Sequence, residues 1–213
     1  MKNFMLPFWE DEDTFYTQEN NPTETVLGKI LGKVYLESCG PTAAANLVQS
    51  IFKALKVIVA LGKRRNIYDI PLDEVIMDYF NNPGNFKKFN KIREYKGFKK
   101  IPFNEIPQYY PVMFQELFGL DSEFKWGVTF DKVKDLISSE YGVILCFKKP
   151  GHYFAVGRVL PKTEEIEYRD SWKNNYFPKR LRGISGFNRR VKWSEIKDNL
   201  KNFYITVGVK DED

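Results

Sequence analysis

Cysteine and histidine are scarce in this chain, with two of the first and one of the second among 213 residues. So few soft ligands exclude a zinc finger and any metal cage built from cysteine and histidine alone; no metal or cofactor is implied. Two cysteines also exclude a disulfide-rich secreted scaffold. They would allow a single Cys39–Cys146 bridge, but nothing in the pattern asks for it. Long apolar runs are missing too. The most apolar stretch, Leu47 to Leu61, is interrupted by Lys53 and Lys56 and falls short of the ~20 residues that a membrane span needs. Met1 to Pro7 holds one lysine and too few apolar residues before Glu10-Asp11-Glu12-Asp13 for a secretory signal. The expected compartment is the cytoplasm, or release without a signal peptide. No repeat and no low-complexity segment breaks the chain.

What is present is ordinary for a globular domain: 43% hydrophobic and 29% charged residues, enough to bury a core in one unit. Aromatic residues, at 16%, are plentiful and need a core or a binding surface. The net charge of +5 is unevenly spread. Lys87, Lys88, Lys91, Arg93, Lys96, Lys99 and Lys100 face Glu94 alone, and Lys179, Arg180, Arg182, Arg189, Arg190 and Lys192 face no acid at all. These clusters, Lys87–Lys100 and Lys179–Lys192, read either as solvated loops or as contacts for an anionic polymer.

The apolar pattern predicts helices first and strands later, an α+β arrangement. Pro41 sits in the first turn of a helix opening at Cys39, followed by Ala43, Leu47, Ile51, Leu55 and Ile58 at helical spacing and ending at Gly62. A second helix is expected over Pro71–Phe80 and a third over Pro111–Phe118, stopped by Gly119. Thr129 reads as the N-cap of a helix over 130–139. Residues 81–110, broken by proline and glycine, read as an irregular basic and aromatic excursion. Beyond the helix over 130–139 the period becomes two. Strands are expected over 142–147, 152–159, 165–170 and 203–209, with a short helix over Trp193–Leu200.

One constellation carries chemistry. Cys39 opens a long helix, where unpaired backbone N–H groups and the helix dipole favour a thiolate, the competent sulfur nucleophile. His152, the only imidazole, opens a strand after the turn Lys149-Pro150-Gly151. His152, Phe154 and Val156 share one strand face, and Ile166, Tyr168 and Asp170 share one face of the next. If the two strands form a hairpin with a loop of three to five residues, Asp170 falls opposite His152 or one diagonal away, within hydrogen-bonding reach. Asp170 would orient His152, and His152 would take the thiol proton and later protonate a leaving amine. The acyl group would rest on Cys39 as a thioester until water releases it. The backbone N–H of Cys39 is one candidate oxyanion donor, and the side-chain amide of Gln18 is a second. Cys146, set between Leu145 and Phe147, reads as a small apolar core residue.

Tyr16-Thr17-Gln18-Glu19-Asn20, about twenty residues ahead of Ser38-Cys39-Gly40-Pro41-Thr42-Ala43, resembles the paired signature of papain-like cysteine peptidases. The resemblance is closest to the bacteriocin-processing-like (double-glycine-peptidase-like) family. Gly151-His152-Tyr153-Phe154-Ala155-Val156 resembles the histidine strand of that family, and Tyr168-Arg169-Asp170-Ser171 its aspartate motif. The resemblance implies a single papain-like domain over 1–213. Its helical part, about 14–140, would place Cys39 at the start of the central helix and pack on an antiparallel sheet part, about 141–209. It also implies that Gln18 completes the oxyanion hole. The family's leader peptidases carry the glutamine closer to the cysteine and are joined to a transporter, so a stand-alone enzyme is expected here. The excursion over about 81–110 falls outside the shared pattern and is the expected seat of specificity.

The leading expectation is a cysteine hydrolase of peptide or isopeptide bonds, acting on cell-wall peptides in the manner of a phage lysin, or on a protein target. An acyl transferase resembling a transglutaminase would use the same triad. A third reading is an inactive papain-like module binding nucleic acid or another polyanion, with Phe86, Phe89, Tyr95 and Phe98 stacking on bases. Glycine and proline interrupt that stretch and no nucleic-acid signature is present, which disfavours it.

Overall fold

A computed structural model describes residues 4–15, 39–52, 72–82, 84–85, 105–149, 151–172 and 178–209. Its centre is helix α1 (Cys39–Phe52). Ala43, Ala44, Ala45, Leu47, Val48 and Ile51 are all buried, so this helix is enclosed on most sides. The run of alanines lets it approach the sheet closely. Two of its buried polar side chains bond to the helix backbone: Asn46 Nδ2 donates to the Thr42 carbonyl at 3.0 Å and Ser50 Oγ to that of Asn46 at 2.6 Å. The expected extension to Gly62 lies outside the described residues.

Helix α2 (Leu72–Asn81) packs on α1 through Leu72, Ile76, Tyr79 and Phe80. Helix α3 (Tyr110–Phe118) ends at Gly119, whose left-handed φ of 65° turns its N–H onto the Gln115 carbonyl. Helix α4 (Phe130–Ser138) is capped by Thr129, whose hydroxyl accepts from the Lys132 N–H at 3.3 Å. Among the described residues no helix is long and apolar enough to cross a membrane.

The sheet is antiparallel throughout. Its strands are β1 (Phe4–Met5), β2 (Asp121–Trp126), β3 (Gly142–Phe147), β4 (His152–Leu160), β5 (Glu165–Arg169), β6 (Arg189–Lys192) and β7 (Phe203–Gly208). They lie in the order β2-β7-β3-β4-β5-β6, with β1 pairing the far end of β4 through Phe4↔Val159. Both faces are covered, which is why β3 reads as an unbroken apolar run. Ile144 and Cys146 join the core under α1, α2 and α3, while Val143, Leu145 and Phe147 join the core under α4. The architecture is therefore α+β.

Several elements differ from the sequence expectation. The sheet draws β1 and β2 from outside 141–209, so a strand lies within the stretch read as the helical part. Strand β2 is a partly exposed edge strand with charged residues, and such an edge carries little apolar alternation. Strand β6 lies inside the second basic cluster, where charge masked a period of two. The helix expected over Trp193–Leu200 is one turn, α5 (Trp193–Ile196), followed by a 3-10 turn over Lys197–Asn199.

Strand β4 carries an irregularity with a functional consequence. Next to the hairpin turn the pairs run Leu160↔Glu165, Val159↔Ile166 and Arg158↔Glu167, then jump to Val156↔Tyr168 and Ala155↔Arg169. Gly157 is the extra residue, a β-bulge. Without it, Asp170 would continue opposite Ala155, whose side chain belongs to the α1 side. With it, Asp170 follows Tyr168 and Ile166 onto the face of Phe154 and Val156, and hence of His152. Gly157 is also a point of close approach. A Cβ there would stand 2.0 Å from the Trp9 ring, and the Gly157 carbonyl accepts the Leu6 N–H at 2.8 Å. Gly157→Ala is expected to destabilise the fold by about 1–3 kcal/mol through overpacking. A lower urea midpoint at unchanged slope would show it, and an unchanged midpoint would contradict it.

Candidate active site

Three of the four residues singled out in the sequence come together. Cys39 is the first residue of α1, and its thiol lies close enough to the His152 imidazole to raise that ring's proton affinity. His152 opens β4 and is buried, with Nε2 2.7 Å from Asp170 Oδ1. With Nε2 engaged, Nδ1 is the ring nitrogen left to face the thiol. Gln18 lies outside the described residues, as does the Lys87–Lys100 cluster.

The strand start that presents His152 is held from the other side of the sheet end. Asn199 clamps the turn leading into it: its amide donates to the Lys149 carbonyl at 2.9 Å, and its side-chain oxygen accepts the Lys149 N–H at 3.2 Å. The Asn199 carbonyl also accepts the Lys148 N–H at 2.6 Å. The Trp172 ring stands 6.1 Å from the imidazole, and its backbone N–H donates to Asp170 Oδ1 at 3.0 Å.

Asp170 follows the end of β5 and is fully buried. A lone carboxylate could not remain charged there, and it has partners on each side. Its second oxygen, Oδ2, accepts from Arg189 Nη1 at 2.6 Å, and its backbone N–H donates to the Gly186 carbonyl at 2.8 Å. Gly186 must be glycine for this contact, because a Cβ would fall 1.7 Å from the Asp170 carbonyl oxygen. Burial pushes the Asp170 carboxyl up, but hydrogen bonding to His152 and the charges of His152 and Arg189 bring it below its ordinary value. For His152, burial disfavours the imidazolium. The bonds to Asp170 and Cys39 outweigh that and raise it to about 10. Cys146 is the opposite case, a buried thiol pushed up to about 12 mainly by desolvation.

Arg169 does different work on the opposite face of β5. It is fully buried and gathers the N-terminal segment. It donates to the carbonyls of Thr14 at 2.8 Å, Trp9 at 2.5 Å, Asp11 at 3.2 Å and Phe8 at 3.4 Å, and to Ser50 Oγ of α1 at 3.1 Å. Its guanidinium stacks 4.5 Å above the Trp9 ring. The segment it fixes runs to Phe15, three positions before Gln18 in the sequence.

In the sequence Arg189 falls in a basic cluster that reads as a solvated loop or as a contact for an anionic polymer. The structure corrects this: its side chain is buried against Asp170, as the period-two pattern of β6 requires for a residue sharing a face with Val191. Two further cations of that cluster meet acids, Arg180 with Glu195 at 2.9 Å and Arg190 with Glu167 at 3.0 Å. The alternation of Arg189 and Val191 was the signal available in the sequence. Arg169, Gly186 and Asn199 gave none. No protein-family model matches the chain, and no curated protein matches it significantly.

Proposed function

We propose that the protein is a papain-like cysteine hydrolase of peptide or isopeptide bonds, with Cys39 as nucleophile, His152 as general base and acid, and Asp170 as the group that orients the imidazole. The observation that carries this reading is the position of His152, bonded to Asp170 at 2.7 Å and set beside the Cys39 thiol at the start of α1. Transfer of the thiol proton to Nδ1 creates the thiolate and an imidazolium whose N–H remains directed at Asp170. Attack on a carbonyl gives an oxyanion that the backbone N–H at the helix start can receive, with the Gln18 amide as the proposed second donor. The imidazolium then protonates the departing amine. Deacylation runs the same proton path with water as the nucleophile. The high proton affinity of His152 suits a site that stores charge as an ion pair before substrate arrives.

The test uses the two thiols against one another. Alkylation followed by mass spectrometry should label Cys39 at least ~10-fold faster than the buried Cys146 near neutral pH, with the advantage removed in His152→Ala. Screening of cell-wall peptides and protein substrates, with Cys39→Ala as the blank, then identifies the scissile bond, and an added amine distinguishes hydrolysis from transfer. Equal labelling of the two thiols in the wild-type protein would sink the reading.

A further inference from the structure

Arg189 adds a fourth charged group to the row formed by Cys39, His152 and Asp170. In the reactive form, the thiolate and Asp170 are two anions that share the single cationic imidazole, and all lie in or at the edge of the core. The guanidinium of Arg189 supplies the missing positive charge. It is 2.6 Å from Asp170 Oδ2, on the oxygen that His152 does not use. Its other nitrogens donate to the Ser185 carbonyl at 3.1 Å and the Ile184 carbonyl at 2.5 Å, so its orientation is fixed by the backbone of the loop before β6.

We propose that Arg189 is a positioning residue that neutralises Asp170, so that the imidazolium charge is left to the Cys39 thiolate. The proposal rests on the thiol-hydrolase reading above. Without Arg189, one imidazolium would have to serve two anions. The cost of an uncompensated buried charge would then return a proton to the thiolate or the carboxylate. The ordering of the pair is consistent with this, because Asp170 is held below its ordinary value by His152 and by Arg189 together.

Other ionisable groups reach the two ends of this row. Tyr168 lies beside Asp170 and Arg189, with Arg180 beyond it. Tyr110, Tyr153 and Cys146 face the Cys39 end, with Lys201 beside Cys146 and Glu105 beside the two tyrosines. Burial holds the three tyrosines and Cys146 in their protonated forms well into the alkaline range, so they add no charge near neutral pH.

Two measurements test the assignment. In the first, Cys39 alkylation is followed against pH in the wild type, Arg189→Met and Arg189→Lys, with Cys146 labelling as the report of unfolding. Arg189→Met should slow Cys39 near neutral pH by about tenfold or more and regain the rate in alkaline buffer, and Arg189→Lys should restore most of the rate at neutral pH. An unchanged rate in Arg189→Met, an equal loss at every pH, or a lysine variant no better than the methionine one would overturn the proposal. The second measurement keeps Arg189 in place, in case its replacement unfolds the chain. NMR of the only imidazole is compared between the wild type and Cys39→Ala. If Arg189 balances Asp170, removing the thiol leaves the imidazolium without an anion of its own, and its titration moves down by about one pH unit or more. An unmoved titration means that Asp170 alone holds the imidazolium, and the proposal fails. Slow labelling of Cys39 in the wild-type protein instead removes the hydrolase reading, so the two failures are distinct.

Discussion

On the proposed hydrolase mechanism, His152→Ala is expected to reduce turnover of a cleaved peptide by about 10⁴-fold or more, because the same imidazole would form the thiolate and protonate the leaving amine. The variant should also lose a component of pH-dependent stability. In the unfolded chain the imidazole titrates near its ordinary 6.5, whereas in the native protein Asp170 and Cys39 raise it to about 10 against the opposing effect of burial. Between those values the folded imidazole holds a proton that the unfolded imidazole does not. In a Cys39→Ala background the thiol cannot supply that proton, so it comes from solvent, and the stabilisation is complete below about pH 6.5 and lost as pH rises through the folded-state value. Urea unfolding of Cys39→Ala across that window should show weakening with rising pH, and Cys39→Ala combined with His152→Ala should change less. Parallel curves for the two proteins would mean that the imidazole is not held in its protonated form by the fold.

Arg169→Met should be the most destabilising single change outside the proposed triad, costing about 3–5 kcal/mol. Methionine keeps much of the volume against Trp9 but removes the donor of the Thr14 carbonyl and one donor each from the carbonyls of Trp9 and Asp11, which keep Asn188 and Thr14 respectively. Burial pulls the guanidinium down to about 9, with the Asp11 charge opposing that, so it remains a cation at neutral pH. Its hydrogen bonds go to neutral carbonyls and a hydroxyl together with Asn188 Oδ1 at 3.2 Å. Hydrogen exchange should show protection lost first over residues 6–15 while β3 and β7 keep theirs. If the segment keeps its protection and the urea midpoint is unmoved, the arginine does not hold it. Turnover should fall as well, since the segment leads toward Gln18.

The parts of the molecule that local chemistry dictates were legible in the sequence. The Pro41 first turn, the Thr129 cap and the Gly119 stop each follow from a backbone requirement that only a few residue types meet. The hairpin carrying His152 and Asp170 was legible as a pair of alternating runs, and the observed register puts Asp170 one diagonal from His152. The reason was only half visible. Counting back from Leu160↔Glu165 at strict alternation sends Asp170 to the wrong face, and the Gly157 bulge restores it, a glycine whose sequence context gives no sign of Trp9 above it. Arg189 was hidden by its neighbours, because a run of cations reads as a solvated surface until a strand assigns alternate residues to alternate faces. Long-range partners such as Arg169 with Thr14, or Asn199 with Lys149, are set by tertiary packing and leave no local trace.

The strand order also determines when the site can exist. Strand β7, the last described strand, lies between β2 and β3, and the segment closed by Arg169 comes from the first fifteen residues. These pairings join distant parts of the chain, which makes loop closure costly and folding slow compared with a helical bundle. On a ribosome, α1 with its cysteine emerges long before the strands that bring it histidine and aspartate. If Cys39 is the nucleophile proposed above, the nascent chain carries it for most of its synthesis without the groups that would activate it, and the thiol becomes competent only as the sheet closes.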